Sequence, residues 1–532
     1  MGRLRRRKIW DAAATDDYNL VRKVYRAMVV RSRYDYIKSS FKAAKGPAMF
    51  RMARQLEARR TLPSMVDDCR KVVATHEGIS DLIADQLCSG EEACWLPSVV
   101  DMSPSGNEMM EAVKISPVNT GRGFDDIGYP FVRRWISVGA SDVRRLVNFG
   151  LRHDIPDWHM GEVVLIPKAD KPRYDVVKSW RMIHLLPTIA KIVERIVMLR
   201  IAATTELGET QFGSRRKRSV HDAMAIVYEF LEHNRNMRCA LMTVDVEGGF
   251  DKVDLDNLCD FLVARSCDDV LVAWVRRWAK NRRVRFRFNG RVSKIYHLNK
   301  GIPQGSPLSP FLFGAYIADI FTPRMRYGPS LHQLVVSYVD DAAIMVAADS
   351  RTMAVAALTE TFEDCRRIAG ARGMGFSVIK TKWIGFGDCA WDGMEIDGHC
   401  LMPEASLQVL GFYFNMYNNF SCHVKYWLER GLGVRRRIMA MGRRFGEGAL
   451  GAYGTLELFR STYLPTVYYG LEFLAGHRSY VKEIQRHVND CIRSLFRTSF
   501  MMANNILMAE FGVVADTYTG PIPTEKSRCQ DG

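Results

Sequence analysis

The stretch "LVVSYVDDAAIMVA", residues 334–347, decides the fold. Two adjacent carboxylates, Asp340 and Asp341, interrupt a run that is otherwise almost wholly apolar. Such flanks predict two buried strands joined by a tight bend at the aspartates. Taken alone, Asp-Asp at a hairpin tip is ordinary turn chemistry, because Asp tolerates bend conformations and caps backbone groups. Yet a buried, unpaired carboxylate is unfavourable, and two side by side repel each other. The second reading is therefore a rigid mount that holds two carboxylates for a purpose.

A third carboxylate stands upstream. In "CALMTVDVEGGFDKVD" (239–254) a β-rich run ends at Asp245, followed by a glycine pair and Phe250. The bland reading is a strand-end Asp before a helix that begins near Asp254. Three carboxylates at the ends of apolar strands share one electrostatic problem, which a divalent cation solves. Mg²⁺ takes a few carboxylates plus substrate phosphate. Two such ions can activate a 3′-hydroxyl and stabilise a departing pyrophosphate, which is nucleotidyl transfer. Between the two acidic motifs lies "NKGIPQGSPLSPFLFGAYIADI" (299–320). Its Pro303-Gln304-Gly305-Ser306-Pro307 loop leads into an apolar helix expected from Ser309, as Ser and Pro at a helix start would. The functional reading is close backbone approach to a nucleotide, with Gln304 reaching its base or sugar.

Composition agrees with a polyanionic partner. The 532 residues carry 75 Lys+Arg against 59 Asp+Glu, a formal charge of +16. A merely basic protein is the alternative. Apolar content of 47% and charged content of 25% describe a globular chain rather than a disordered one. The twelve cysteines are scattered without zinc-ligand spacing, and no apolar stretch has transmembrane or secretory length. These features predict a reducing intracellular compartment and no membrane partner. The start "MGRLRRRKIW" reads as a nuclear signal, a nucleic-acid-binding arm or a solvated terminus.

Along the chain, residues 1–110 read as a basic helical extension, closed by the break "SPSGNEMM" and "ISPVNTGRGFDD". From 111 to 395 the texture is mixed, with short β-rich runs at 161–167, 239–246, 283–298, 334–347 and 380–386 between helical patterns. Residues 396–475 contain "LQVLGFYFN" (407–415) and then turn helical and basic, and 476–532 read as a helical segment and tail.

The order Asp245, PQG, YVDD resembles a reverse transcriptase, and more closely that of non-LTR retrotransposons. The resemblance covers roughly 110–470. It includes "VVLIPKADKPRYDVVKSWRMIHLLPTIAKIVERIV" (163–197), "QFGSRRKRSVHDAMAIVYEFL" (211–231), "GFSVIKTKWIGF" (375–386) and "LGFYFN" (410–415). The first block has Arg181-Met182-Ile183 where the family has Arg-Pro-Ile, a change expected to loosen a local turn. The family implies an α+β right-hand polymerase, with fingers, a palm built on an antiparallel catalytic sheet, and a helical thumb. It implies two Mg²⁺ ions, or Mn²⁺, on Asp245, Asp340, Asp341 and the Val246 carbonyl. Phe250 would be the gate that excludes a 2′-hydroxyl, and Gln304 and Gly305 would line the dNTP pocket. Arg181 and Lys168 would hold the triphosphate, a guanidinium doing so in bidentate fashion. Lys380 would stand near the pyrophosphate, and LGFYFN would be the primer grip. Arg435, Arg436, Arg437, Arg443 and Arg444 would follow a duplex backbone from the thumb, although a solvated amphipathic helix would look similar.

The implied partners are an RNA template, a DNA primer and dNTPs. The ribonucleoprotein would be nuclear and cytoplasmic. No endonuclease pattern is seen at either end, which reads as a polymerase core, either a fragment of a larger open reading frame or a standalone remnant, with target cleavage needing a separate endonuclease or a lost domain. Competing readings are a group II intron or telomerase-like enzyme, and a catalytically silent remnant that binds RNA or DNA. A viral RNA polymerase would share the carboxylate order, but Phe250 as a sugar gate disfavours ribonucleotides.

Overall fold

The computed structural model describes residues 62–67, 71–87 and 102–496, apart from short stretches at 118–119, 153–155, 169–170, 206, 248, 281, 299, 323–327, 329, 388–389, 445–450 and 475; 502–504, 506 and 511 are also described. The chain divides between Asn419 and Phe420 into two compact units.

The first unit opens with a two-stranded ribbon, β1 (Met65–Val66) and β2 (Val72–Val73), and helix α1 (His76–Leu87). The extension is therefore not wholly helical where it is described, and most of its basic arm lies outside the described residues. Helices α2 (Gly106–Lys114) and α3 (Tyr129–Arg152) follow. The next elements are β3 (Met160–Pro167), β4 (Trp180–Leu185), α4 (Thr188–Thr204) and α5 (Val220–His233). β3 pairs antiparallel with β4 and parallel with β6, a strand from much further along the chain. Met182 continues β4 opposite Leu165, so the missing proline lies in a strand, not a turn. β4 is the edge of its sheet, where a proline would also be tolerated.

Strand β5 (Arg238–Glu247) leads to α6 (Leu255–Ala264), whose N-cap Asp254 accepts from Asn257 N, and to α7 (Asp269–Lys280). β6 (Arg282–Phe288), β7 (Arg291–Val292) and β8 (Tyr296–Leu298) complete the fingers sheet, in the order β4-β3-β6-β7 with β8 on β6. On its inner face Val163, Trp180, Phe286 and Phe288 form a core with Leu62, Met65, Ile79 and Ile83. The N-terminal ribbon and α1 are thus built onto the fingers. Alternation along "RRVRFRF" explains the split: Val284, Phe286 and Phe288 turn inward, while Arg285 and Arg287 meet the buried Glu162 on β3.

Helix α8 (Ser309–Ile317) begins where its sequence predicted and is almost entirely buried. The palm is completed by β9 (Leu331–Tyr338), β10 (Asp341–Ala348), α9 (Arg351–Ala371), β11 (Gly375–Phe376) and β12 (Lys382–Gly385). Its antiparallel sheet runs β11-β5-β10-β9, with β12 also on β5. β10 is central and buried except at Asp341, as its unbroken apolar run requires. Two hairpins end this unit, β13 (Met394–Ile396) with β14 (His399–Leu401) and β15 (Ser406–Val409) with β16 (Phe412–Asn415). The second contains LGFYFN and belongs with the palm: Glu404 N donates to Trp383 O, and Phe386 meets Phe414 edge-on. The expected boundary at 395 therefore moves to 419.

The second unit is helical: α10 (Ser421–Arg444), α11 (Gly451–Leu458), a π-turn at Phe459–Tyr463, α12 (Leu464–Val467) and α13 (Arg478–Phe496). Tyr463 Oη donates to His487 O, and Ile484, Val488, Cys491 and Ile492 are buried. Residues 478–496 thus pack with the thumb helices instead of forming a separate segment.

Candidate active site

The β9–β10 hairpin turns through Val339 and Asp340, with Tyr338 opposite Asp341. Val339 has φ +59°, at a turn position where glycine is usual. A β-branched residue there is strained and needs outside support. That support comes from "QFG": Phe212 N donates to Ser337 O, and Ser337 N to Thr210 O. A Cβ on Gly213 would lie 2.2 Å from Val339 N, so only glycine lets this segment seat against the hairpin tip. Sequence reading passed over Gly213, although QFG was part of a recognised block.

Register then assembles the carboxylates. Asp341 pairs directly with Asp245 on β5, and Asp340 occupies the adjoining turn. Asp341 opens onto solvent at the strand end, yet the surrounding protein, then Asp340 and Asp245, push its carboxyl up to about 6. Lys380 Nζ donates to Asp245 Oδ2 at 2.6 Å, and Ser377 N holds the Asp245 carbonyl. Val246 buries its side chain and pairs with Phe376. Among the described residues no group of three or more His, Cys, Asp or Glu is already gathered to hold an ion. Even so, the oxygen donors suit a hard divalent cation, which needs few protein ligands when substrate phosphates supply the rest.

Phe250 is half-buried and packs on Phe313 of α8, ring centroids 4.9 Å apart. Ile302 N donates to Phe250 O, tying this turn to the start of the PQG loop. Gln304 is half-buried, and its carbonyl accepts from His184 N at 2.8 Å. Gly305 has φ +138°, and a Cβ there would lie 2.2 Å from His184 O. Its conformation and its contact with β4 both demand glycine. Lys168 follows the last residue of β3, and Arg181 is exposed on β4. Partial burial, then Lys171, Arg181 and Lys380, lowers the Lys168 ammonium, while Asp251 opposes the shift. Lys168, Arg181, Lys380 and Asp251 therefore share one neighbourhood. Asp251 was not singled out from sequence; burial pushes its carboxyl up to about 6 against the charges of Arg282 and Lys168.

In the helical unit, Arg436 and Arg437 are exposed on α10. Arg435 instead lies near Tyr463 and Cys491, with a buried Nε. Arg443 and Arg444 lie in α10 but their side chains are outside the described residues.

Residues 166–414 match the reverse transcriptase (RNA-dependent DNA polymerase) family. The chain carries a reverse transcriptase domain. The RNA-directed DNA polymerase from mobile element jockey of Drosophila melanogaster is 24% identical over 59% of this chain and 35% of its own length. The corresponding proteins of transposon X-element and transposon BS, both from Drosophila melanogaster, are 28% and 25% identical. They align over 35% and 48% of this chain, and over 21% and 29% of their own lengths. The chain thus spans about a third or less of these relatives. These similarities support a reverse transcriptase of the non-LTR retrotransposon type, with a fold of the right-hand polymerase α+β class. No helix among the described residues is long and apolar enough to cross a membrane.

Proposed function

We propose that the protein is an RNA-directed DNA polymerase that extends a primer 3′-hydroxyl with dNTPs on an RNA template. The observation that carries this reading is the register of Asp341 against Asp245, with Asp340 in the adjoining turn and Lys380 on Asp245. Asp245, Asp340, Asp341 and the Val246 carbonyl would hold two Mg²⁺ ions. Bound divalent ions would supply activation of the hydroxyl and neutralisation of charge at the leaving pyrophosphate. The primer oxygen forms the new bond to the α-phosphorus as the bond to pyrophosphate breaks.

The chain's own residues position the reactants. Phe250, braced by Phe313, presents a ring edge that a 2′-hydroxyl would strike. Gln304 faces the nucleotide from a loop pinned at its backbone, and Arg181 and Lys168 clamp the triphosphate. Lys380 lies where its ammonium can leave Asp245 for the departing pyrophosphate and give it a proton. Arg436 and Arg437 would follow the duplex backbone. The ribonucleoprotein would work in nucleus and cytoplasm.

Extension of an annealed DNA primer along a heteropolymeric RNA, with dNTPs and Mg²⁺, tests the proposal. Full-length complementary DNA is expected. A folded protein that binds the duplex but adds no nucleotide would instead establish a binding remnant.

A further inference from the structure

Helix α4 carries a carboxylate that the polymerase mechanism above leaves unused. Glu194 is 2% exposed, in the wall between α4, α7 and the PQG loop. Trp278 Nε1 donates to its Oε1 at 3.0 Å, and Ser306 Oγ donates to its Oε2 at 2.6 Å. Ser306 Oγ in turn accepts from Leu308 N at 3.0 Å, at the entrance to α8. Beside this relay two small voids share Trp158, His159, Glu194 and Trp278 as walls.

Lys191, one turn earlier on α4, donates its Nζ to Gly121 O, and the Glu194 oxygens accept from Trp278 and Ser306 instead. Burial raises the acid, while the hydrogen bonds from Ser306 and Trp278 and the nearby charges of Lys191 and His159 lower it. The relay fixes the residue after Gly305, while the His184 N–H fixes Gln304 on the other side. The nucleotide-facing Gln304-Gly305 segment is therefore held between two anchors, one on β4 and one on α4.

We infer that Glu194 is a positioning residue for the nucleotide pocket, acting through Ser306 to set the PQG loop. This rests on the reading of that loop as the dNTP site. Gln at 194 can accept from Trp278 and donate to Ser306 Oγ, whereas Ala leaves Trp278 Nε1–H and the Ser306 hydroxyl proton without their acceptor. The test is steady-state dNTP incorporation on an RNA template by wild type, Glu194→Gln and Glu194→Ala, with template–primer affinity and thermal unfolding measured in parallel. Glu194→Ala should raise the dNTP KM about tenfold or more, the scale of a lost buried hydrogen bond, with a smaller change in kcat and unchanged duplex affinity. Glu194→Gln should stay within about threefold of wild type on the same scale. If Glu194→Ala does not fold, Ser306→Ala breaks the relay from its other end and should show the same KM rise. A folded Glu194→Ala, or failing that Ser306→Ala, with wild-type KM would overturn the inference, as would a Gln variant as impaired as Ala. Failure of wild-type protein to extend any primer would refute the polymerase reading itself, and is distinguishable from these outcomes.

Discussion

Asp341 shows at the scale of one residue how binding chemistry and folding oppose each other. Its carboxyl is raised from the unfolded 3.8 to about 6. The folded protein therefore binds more protons than the unfolded chain between those values. The stabilising contribution of the protonated group is complete below 3.8 and lost as pH rises through 6. Asp341→Asn should then raise the melting temperature of metal-free protein at pH 7, with the gain shrinking towards pH 4, while abolishing synthesis. An unchanged or lowered melting temperature in chelator at pH 7 would contradict this. Phe250 makes a second prediction: Phe250→Val should raise rNTP use relative to dNTP by about tenfold or more, the scale of one removed steric contact. Unaltered sugar selectivity in single-nucleotide incorporation would remove Phe250 from the gate. The three aspartates were legible because carboxylates at the ends of apolar strands violate an otherwise clean pattern. Glu194, Gly213 and Asp251 were not, because their significance lies in partners distant along the chain.

Among the elements, the β9–β10 hairpin depends on a segment far from it in sequence. Gly213→Ala would drive a methyl group into Val339 N, and should destabilise the fold by about 1–3 kcal/mol. Urea unfolding measures the loss, and incorporation should fall with it; full activity and stability would mean the tip is not clamped. Helix α4 organises its neighbours in a similar way. Its Arg200 pairs with Glu108 of α2 at 2.7 Å, holding that carboxyl down at about 2. A depressed carboxyl contributes stability present above its unfolded value of 4.5 and lost as pH falls towards 2. Glu108→Gln keeps the capping box with Ser105, so it should cost about 1 kcal/mol at pH 7, discounted for partial exposure. Near pH 2 that difference should vanish in denaturant titrations. Strands and helix starts were legible wherever the local signal was strong, as with the Asp254 cap and the proline that follows Ser309 in the first turn of α8. The parallel pairing of β3 with β6 was not, because residues 160–164 meet 283–287 only through long-range packing.

For the whole molecule, the formal charge of +16 sets how it meets nucleic acid. Counterion release predicts that duplex affinity falls linearly with log salt, and that each exposed arginine on a phosphate adds about one to the slope. Arg436→Gln and Arg437→Gln should each reduce that slope by about one without changing sequence preference; fluorescence anisotropy across a salt series reads it directly. Arg435→Gln should act chiefly on the stability of the helical unit, since its Nε is buried near Tyr463 and Cys491. Sequence could not separate these neighbouring arginines, because only the helix face determines which of them reaches solvent. The central claim is that Asp245, Asp340 and Asp341 together perform nucleotidyl transfer. The most direct measurement is Mg²⁺-dependent dTTP incorporation on poly(rA)/oligo(dT) by wild type and by folded Asp340→Asn. Robust incorporation by wild type, lost in the variant, is the predicted result. Equal incorporation by the two proteins, or none by either, would contradict the account.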